Sequence, residues 1–136
     1  MTTELEIAQL LAIEAHEGQF RKDGSPYTCH LELVASKVTG EDAKVVAWLH
    51  DVLEDTDIQI NDLKSRGISQ RNIEIIKVLT KKREQRFEDY IDLIMRNELA
   101  RTVKVADLIA NLSDNPSNKQ IIKFSKALIR LCGKGS

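Results

Sequence analysis

The sequence predicts an all-α fold, a compact single domain of about seven or eight helices. Three observations carry that expectation. The chain has 136 residues, which is room for one domain of ordinary size. It holds only 6 Gly and 2 Pro, too few for the tight turns that a β-sandwich or barrel of this length requires. Between those few turn signals, apolar residues return at helical spacing. The composition, 42% hydrophobic and 30% charged, is globular and opposed to disorder. A chain this long buries roughly two-thirds of the surface its unfolded form exposes, enough for a core without covalent staples.

The elements follow in order. Leu5, Ile7, Leu10, Leu11 and Ile13 mark an amphipathic helix that runs to Gly18, a natural stop. The polar loop GQFRKDGSP leads into a second helix from Tyr27 to about Val38, with Leu31, Val34 and Ala35 on one face. Thr39-Gly40 breaks it. A third helix from Asp42 to about Leu53 is apolar almost all round, which marks it as central and buried, with Trp48 in the core. A short helix from Gln59 to Arg66 stops at Gly67. Ile68-Ser69 supplies a staple residue and N-cap for IEIIKVL. KKREQR reads as a solvated connector to the amphipathic FEDYIDLIM. ELARTVKVADLIANL carries Val103, Ala106 and Ile109-Ala110 at helical spacing. Asn115-Pro116 reads as an N-cap with Pro at the first helical position, and the last helix runs to about Leu131. The domain spans 1–132, and 133–136 (GKGS) reads as a flexible tail or expression remnant.

Charge and cysteine content narrow the partners. Twenty Lys+Arg against 21 Asp+Glu give a net charge of -1, which disfavours a general nucleic-acid binder, since such proteins need surplus cations to displace counterions. No apolar run approaches the ~20 residues that cross a bilayer, and the acidic N-terminal MTTELEIAQ lacks the form of a secretory signal. Cys29 and Cys132 form no C-x-x-C pair, so the expectation is a reduced, cytoplasmic protein with neither a membrane nor a nucleic-acid partner.

The chemistry concentrates in WLHDVLEDTD. At 3.6 residues per turn, His50, Asp51, Glu54 and Asp55 crowd one side of a helix end. Carboxylates there oppose the macrodipole at roughly 0.3–1 kcal/mol each. A bound cation would turn that cost into a gain, whereas a solvated acidic end is the bland alternative. The apolar run leading in argues against casual surface. His30, early on its helix, becomes a ligand candidate if the fold brings it to His50-Asp51. Asp107 interrupts the apolar run VKVADLIANL, where a buried carboxylate needs a partner or a metal. Asn111 follows it by one turn on the same face.

Three segments together resemble a known family. AHEGQFRKDGSPYTCHLELVA, AWLHDVLEDT and VKVADLIANL are similar, in order, to the motifs of the hydrolase domain of RelA/SpoT homologues, especially the small alarmone hydrolases. They run from Ala15 to Leu112, most of the chain. That family belongs to the all-helical HD superfamily of metal-dependent phosphohydrolases. The resemblance implies an HD-type domain in which His30, His50, Asp51 and Asp107 bind one divalent metal, usually Mn2+. It implies that Glu54 and Asp55 position or activate the attacking water. It implies that Arg21 and Lys22 face the phosphates or base of a small-molecule nucleotide, with Asp23 and Asn111 helping to hold it. The implied reaction converts ppGpp or pppGpp to GDP or GTP plus pyrophosphate. Two imidazoles and two carboxylates leave open positions on an octahedral ion and suit Mn, Fe or similar metals.

Departures from the family pattern keep other readings open. Leu31 stands where a Pro usually follows the ligand His, and Cys29 replaces an aliphatic residue. Leu108 and Ala110 replace a basic residue and a His, and Asp114 replaces Thr or Ser. An HD phosphohydrolase for another nucleotide or phosphate ester, such as NADPH, is one alternative. A catalytically quiet, metal-retaining regulatory module is another, against which the intact Glu54 and Asp55 weigh. His16 is family-typical and reads as structural or supporting. Cys132 has no assignable role.

Overall fold

A computed structural model describes residues 2–133 of the chain. Nine helical segments lie among them: α1 Glu4–Ala15, α2 Thr28–Ser36, α3 Glu41–Leu49, α4 Val52–Asp55, α5 Ile60–Arg66, α6 Gln70–Leu79, α7 Phe87–Met95, α8 Glu98–Leu112 and α9 Asn118–Cys132. Since α4 is a single turn, the expected all-α architecture holds. The β-type pairing among the described residues is one isolated antiparallel bridge, Phe20 to Pro26, in the α1–α2 loop. No helix of the described residues is long and apolar enough to cross a membrane.

Helix α3 is the axis of the domain. Ala43, Val45, Val46, Ala47, Trp48 and Leu49 are all buried, so nearly every face meets a neighbour. It packs against α1, α2, α6 and α8, and α8 in turn packs against α2, α7 and α9. The buried side chains form one continuous apolar cluster. A polar tie crosses it: the buried Asn72 of α6 donates to Glu4 of α1 at 2.9 Å and to Asp42 of α3 at 3.1 Å. Both bonds come from its Nδ2, and they offset part of the cost of burying the amide, whose Oδ1 has no hydrogen-bond partner.

The local signals mostly act as expected. Ser69 caps α6 by accepting from the Asn72 N–H. Gly67 ends α5 at φ +101°, a left-handed conformation that strains any other residue, and an added Cβ would come within 3.3 Å of Ile7 Cδ1. Three expectations are corrected. Helix α1 stops at Ala15 rather than Gly18, with His16 as its C-cap residue. The central helix does not run through to Leu53. It breaks at His50-Asp51, where the His50 Nδ1–H donates to the Ala47 carbonyl at 2.6 Å. That carbonyl is the acceptor a continuous helix would offer to the Asp51 N–H. Finally, Asn115-Pro116 does not cap α9. Asn115 sits at φ +48° and turns the chain, as Asn tolerates better than most residues. Ser117 caps α9 instead, in a reciprocal box with Gln120. Of the expected tail, Gly133 follows α9 as its C-cap residue, and 134–136 lie outside the described residues.

Candidate metal centre and active site

Helices α2, α3 and α8 pack mutually, and their contact point carries the cluster. His30 comes from α2, His50 and Asp51 from the α3–α4 break, and Asp107 from α8. Each offers one donor atom, and the four atoms lie within 4.8 Å of one another. Asp107 Oδ1 is 2.9 Å from His30 Nε2 and 3.1 Å from His50 Nε2. Asp51 Oδ2 is 3.1 Å from the same His50 nitrogen. His30, His50 and Asp107 are each at least 96% buried, their exposures being 2%, 2% and 4%. The three segments thus bring together the four residues that the sequence singled out.

The donor chemistry of this cluster fits a divalent cation. The Ala47 carbonyl can only accept, so it places the His50 proton on Nδ1 and turns the Nε2 lone pair toward two carboxylates. Acceptors facing acceptors at such distances need a cation or a proton between them. Burial alone pushes the His50 imidazole down, but Asp51 and Asp107 outweigh it and hold it well above its ordinary value. Burial pushes the Asp107 carboxyl up, and Lys104, His50 and His30 override it to hold it well below. Two imidazoles and two carboxylates converging on one point are a ligand set for a borderline divalent metal.

Three supporting residues carried no separate signal in the sequence. Lys104 lies one turn before Asp107 on α8, and its Nζ bonds Asp107 Oδ2 at 2.9 Å. It occupies one carboxylate oxygen while Oδ1 faces the histidines, and so fixes the orientation of the carboxylate. Tyr27 donates its hydroxyl to Asp51 Oδ2, and its ring lies between His16 and His30, with centroids at 5.0 and 5.4 Å. Burial and the nearby Asp51 raise the Tyr27 phenol, so it stays a donor. Gln19 Oε1 accepts from the His16 Nδ1–H at 2.8 Å, and its amide N–H donates to the Asp55 carbonyl at 3.0 Å. His16 is buried and, through Gln19, helps tie the α1–α2 loop to α4.

Glu54 and Asp55 lie one turn beyond the cluster on α4. Glu54 Oε1 accepts from the Lys81 N–H at 3.0 Å, so the KKREQR connector is not merely solvated: its backbone holds this carboxylate. Burial, and then repulsion from Asp51 and Glu54, raise the Asp55 carboxyl from 3.8 to about 6. Because this folded value exceeds the unfolded one, the ionised Asp55 opposes folding at higher pH. Asp55→Asn should therefore stabilise chelator-treated protein above about pH 6 and have no effect below about pH 4. Since Asp55 is exposed, solvent screening limits the gain to roughly 1 kcal/mol. Urea titrations of both proteins at pH 4 and pH 7 measure it, and equal stability at pH 7 would remove the repulsion from the account.

A cavity of about 290 Å³ adjoins the cluster, between Arg21, Lys22 and Tyr27 of the loop and Asn111, Asp114 and Gln120 of the α8–α9 region. Asn111 connects the two. Its Nδ2 donates to Asp107 Oδ1 at 3.3 Å, and its Oδ1 accepts from Arg21 Nη2 at 3.4 Å. Lys22 Nζ donates to Gln120 at 3.1 Å. Asp23 is turned into its own loop, accepting from the Ser25 N–H and O–H at 2.9 and 2.6 Å, and does not line the cavity. Of the departures noted in the sequence, Leu31, Leu108 and Ala110 are core residues with exposures of 0%, 1% and 1%. Asp114 alone among those four faces the cavity, where it bonds Arg21.

These features define a helical protein with a buried His/Asp cluster beside a basic cavity. No protein-family model matches the chain. The chain is 32% identical over 120 residues to a guanosine-3′,5′-bis(diphosphate) 3′-pyrophosphohydrolase of Haemophilus influenzae, covering 83% of this chain and 18% of that protein. It is 33% identical over 124 residues to the enzyme of the same description from Aquifex aeolicus, covering 85% and 17%. It is 30% identical over 121 residues to the bifunctional (p)ppGpp synthase/hydrolase SpoT of Escherichia coli, covering 77% and 17%. The chain thus spans less than a fifth of the length of these curated relatives. Its fold matches a solved metazoan ortholog of SpoT, described as hydrolysing ppGpp, with a TM-score of 0.77 and 21% identity, over 96% of this chain and 86% of that one. The resemblance carried by the three sequence motifs is borne out: the chain is similar to one segment of the SpoT-type hydrolases, and its fold is theirs.

Proposed function

We propose that the chain is a Mn2+-dependent phosphohydrolase that removes the 3′-pyrophosphate of ppGpp or pppGpp. One observation carries this reading: an unbroken polar path joins the cluster to the basic cavity, from Asp107 through Asn111 to Arg21. The similarity to ppGpp 3′-pyrophosphohydrolases supports the choice of substrate. His30, His50, Asp51 and Asp107 would hold the ion. A bound divalent ion supplies Lewis-acid polarisation of a phosphoryl oxygen and a lowered pKa for water.

The chain's own residues do the rest. Ala47, Tyr27 and Lys104 hold His50, Asp51 and Asp107 in place. Asp55, with a carboxyl near 6, is ionised at neutral pH and basic enough to take a proton from the attacking water. Glu54, braced by the Lys81 N–H, is the second proton-handling carboxylate. Water forms a bond to phosphorus, the bond from phosphorus to the ribose 3′-oxygen breaks, and that oxygen leaves with a proton. Arg21 and Lys22 offset the charge that develops on the polyphosphate. Asn111, which lines the cavity, holds the nucleotide, and Asp23 acts with it by fixing the loop that carries Arg21 and Lys22. The protein is read as cytoplasmic, where the free and exposed Cys29 and Cys132 stay reduced.

A panel assay of purified protein with Mn2+ tests the substrate. From ppGpp the expected products are GDP and pyrophosphate, and from pppGpp they are GTP and pyrophosphate. Release of single orthophosphates would indicate a phosphomonoesterase. Turnover of NADPH or a common nucleotide, with ppGpp untouched, would replace this reading with another phosphohydrolase activity.

A further inference from the structure

We infer that Asp114 is an affinity-setting residue that occupies Arg21, so that an anion entering the cavity must displace a carboxylate to reach that guanidinium. This rests on the reading of the cavity as a phosphate site. Asp114 Oδ2 accepts from Arg21 Nε at 2.9 Å and lies 2.6 Å from Nη2. The two side chains are only 12% and 18% exposed, so the pair is shielded and charge-assisted rather than a loose surface contact. Asn111 Oδ1 takes a further contact with Nη2 at 3.4 Å. The guanidinium that should meet a phosphate is therefore already engaged by a carboxylate.

The backbone holds that carboxylate where it is. Asp114 directly follows the C-cap of α8, its N–H bonds the Asn111 carbonyl at 3.2 Å, and Asn115 at φ +48° turns the chain away behind it. Lys22 differs, because its Nζ rests on the neutral Gln120 amide. An incoming anion meets an available cation at Lys22 but must displace Asp114 to reach Arg21. A singly charged ligand would exchange one carboxylate for another anion of equal charge and gain little. A pyrophosphate group brings enough charge to engage Lys22 and win Arg21 as well.

Inorganic pyrophosphate, titrated calorimetrically into metal-loaded protein, tests this without reference to which ester is hydrolysed. Asp114→Ser and Asp114→Asn should each tighten pyrophosphate binding by about tenfold. Acetate, which gains too little to displace Asp114 from the parent, should tighten by no larger a factor. In an Arg21→Ala background the same substitutions should change nothing, which cancels any contribution of the ion. Weaker or unchanged binding in the folded Asp114 variants would show that Asp114 presents Arg21 productively, and would overturn the inference. So would a tightening that persists without Arg21, or a parent protein that binds no pyrophosphate. Failure to cleave ppGpp alongside tighter pyrophosphate binding would instead strike only at the proposed substrate.

Discussion

His50→Ala is expected to lose the metal ion and the activity together. His50 Nε2 stands 3.1 Å from both Asp51 Oδ2 and Asp107 Oδ1, so removing the ring deletes one donor and leaves the half-buried Asp51 and the buried Asp107 without their shared partner. Parent protein purified without chelator should hold about one equivalent of divalent ion. An ion that binds only the folded state, present at a hundredfold excess over its Kd, stabilises by about 2.7 kcal/mol. For a domain of this size that is a rise in Tm of roughly 8 °C. In His50→Ala the ion content and the Tm rise should both vanish, and turnover should fall to background. Asp51→Asn keeps size and the Tyr27 contact, and should show the same loss in a milder setting for folding. Metal content by elemental analysis decides the matter. A His50→Ala protein that holds metal as well as the parent would dismiss the cluster as an ion site.

Glu54→Gln is expected to separate chemistry from metal binding. The Glu54 carboxylate is not one of the four clustered donors, and its Oε1 accepts from the Lys81 N–H at 3.0 Å. A glutamine oxygen can accept the same hydrogen bond, so the connector should stay in place while the ionisable group is lost. A general acid–base role is typically worth ~10²–10⁴ in rate. The variant should keep its ion and its Tm, bind substrate nearly as the parent does, and cleave at least about a hundredfold more slowly in a single turnover. Cleavage at the parent rate would reduce Glu54 to a brace between α4 and the connector, and the proton-handling scheme would have to be rebuilt around Asp55 alone.

Much of this arrangement was legible in the sequence because local rules govern it. Helical periodicity marked the helices, and Ser69 and Gly67 marked ends that depend only on nearby backbone groups. The four clustered residues stood out because charges on apolar helices are rare without a partner. The errors arose where a side chain or a tertiary contact overrode the local pattern. His50 diverts the Ala47 carbonyl and breaks a segment whose apolar character predicted continuity. Asn115-Pro116 has the form of a helix start, but Ser117 two residues after Asn115 offers the better box with Gln120. Tyr27 and Lys104 acquire their roles only through partners 24 residues away and one turn away on a buried face. Leu31, Leu108 and Ala110 depart from the family pattern beside motif residues, yet neighbours in a helix point to different faces, and these three are buried in the core.

The spacing of the clustered residues also shapes how the protein comes apart. His30 and Asp107 touch across 77 positions of chain, and His50 and Asp107 across 57. Contacts of such range form only after most of the intervening loop-closure entropy has been spent. An extended or half-collapsed chain therefore presents no coordination site, only scattered imidazoles and carboxylates. The ion arrives once α8 has docked on α2 and α3, too late to guide the search for the fold. Its free energy then appears almost entirely in the escape rate from the native basin, as at any contact absent from the transition state. The cation is a latch fastened after assembly, one that lengthens the lifetime of the folded domain without hastening its formation.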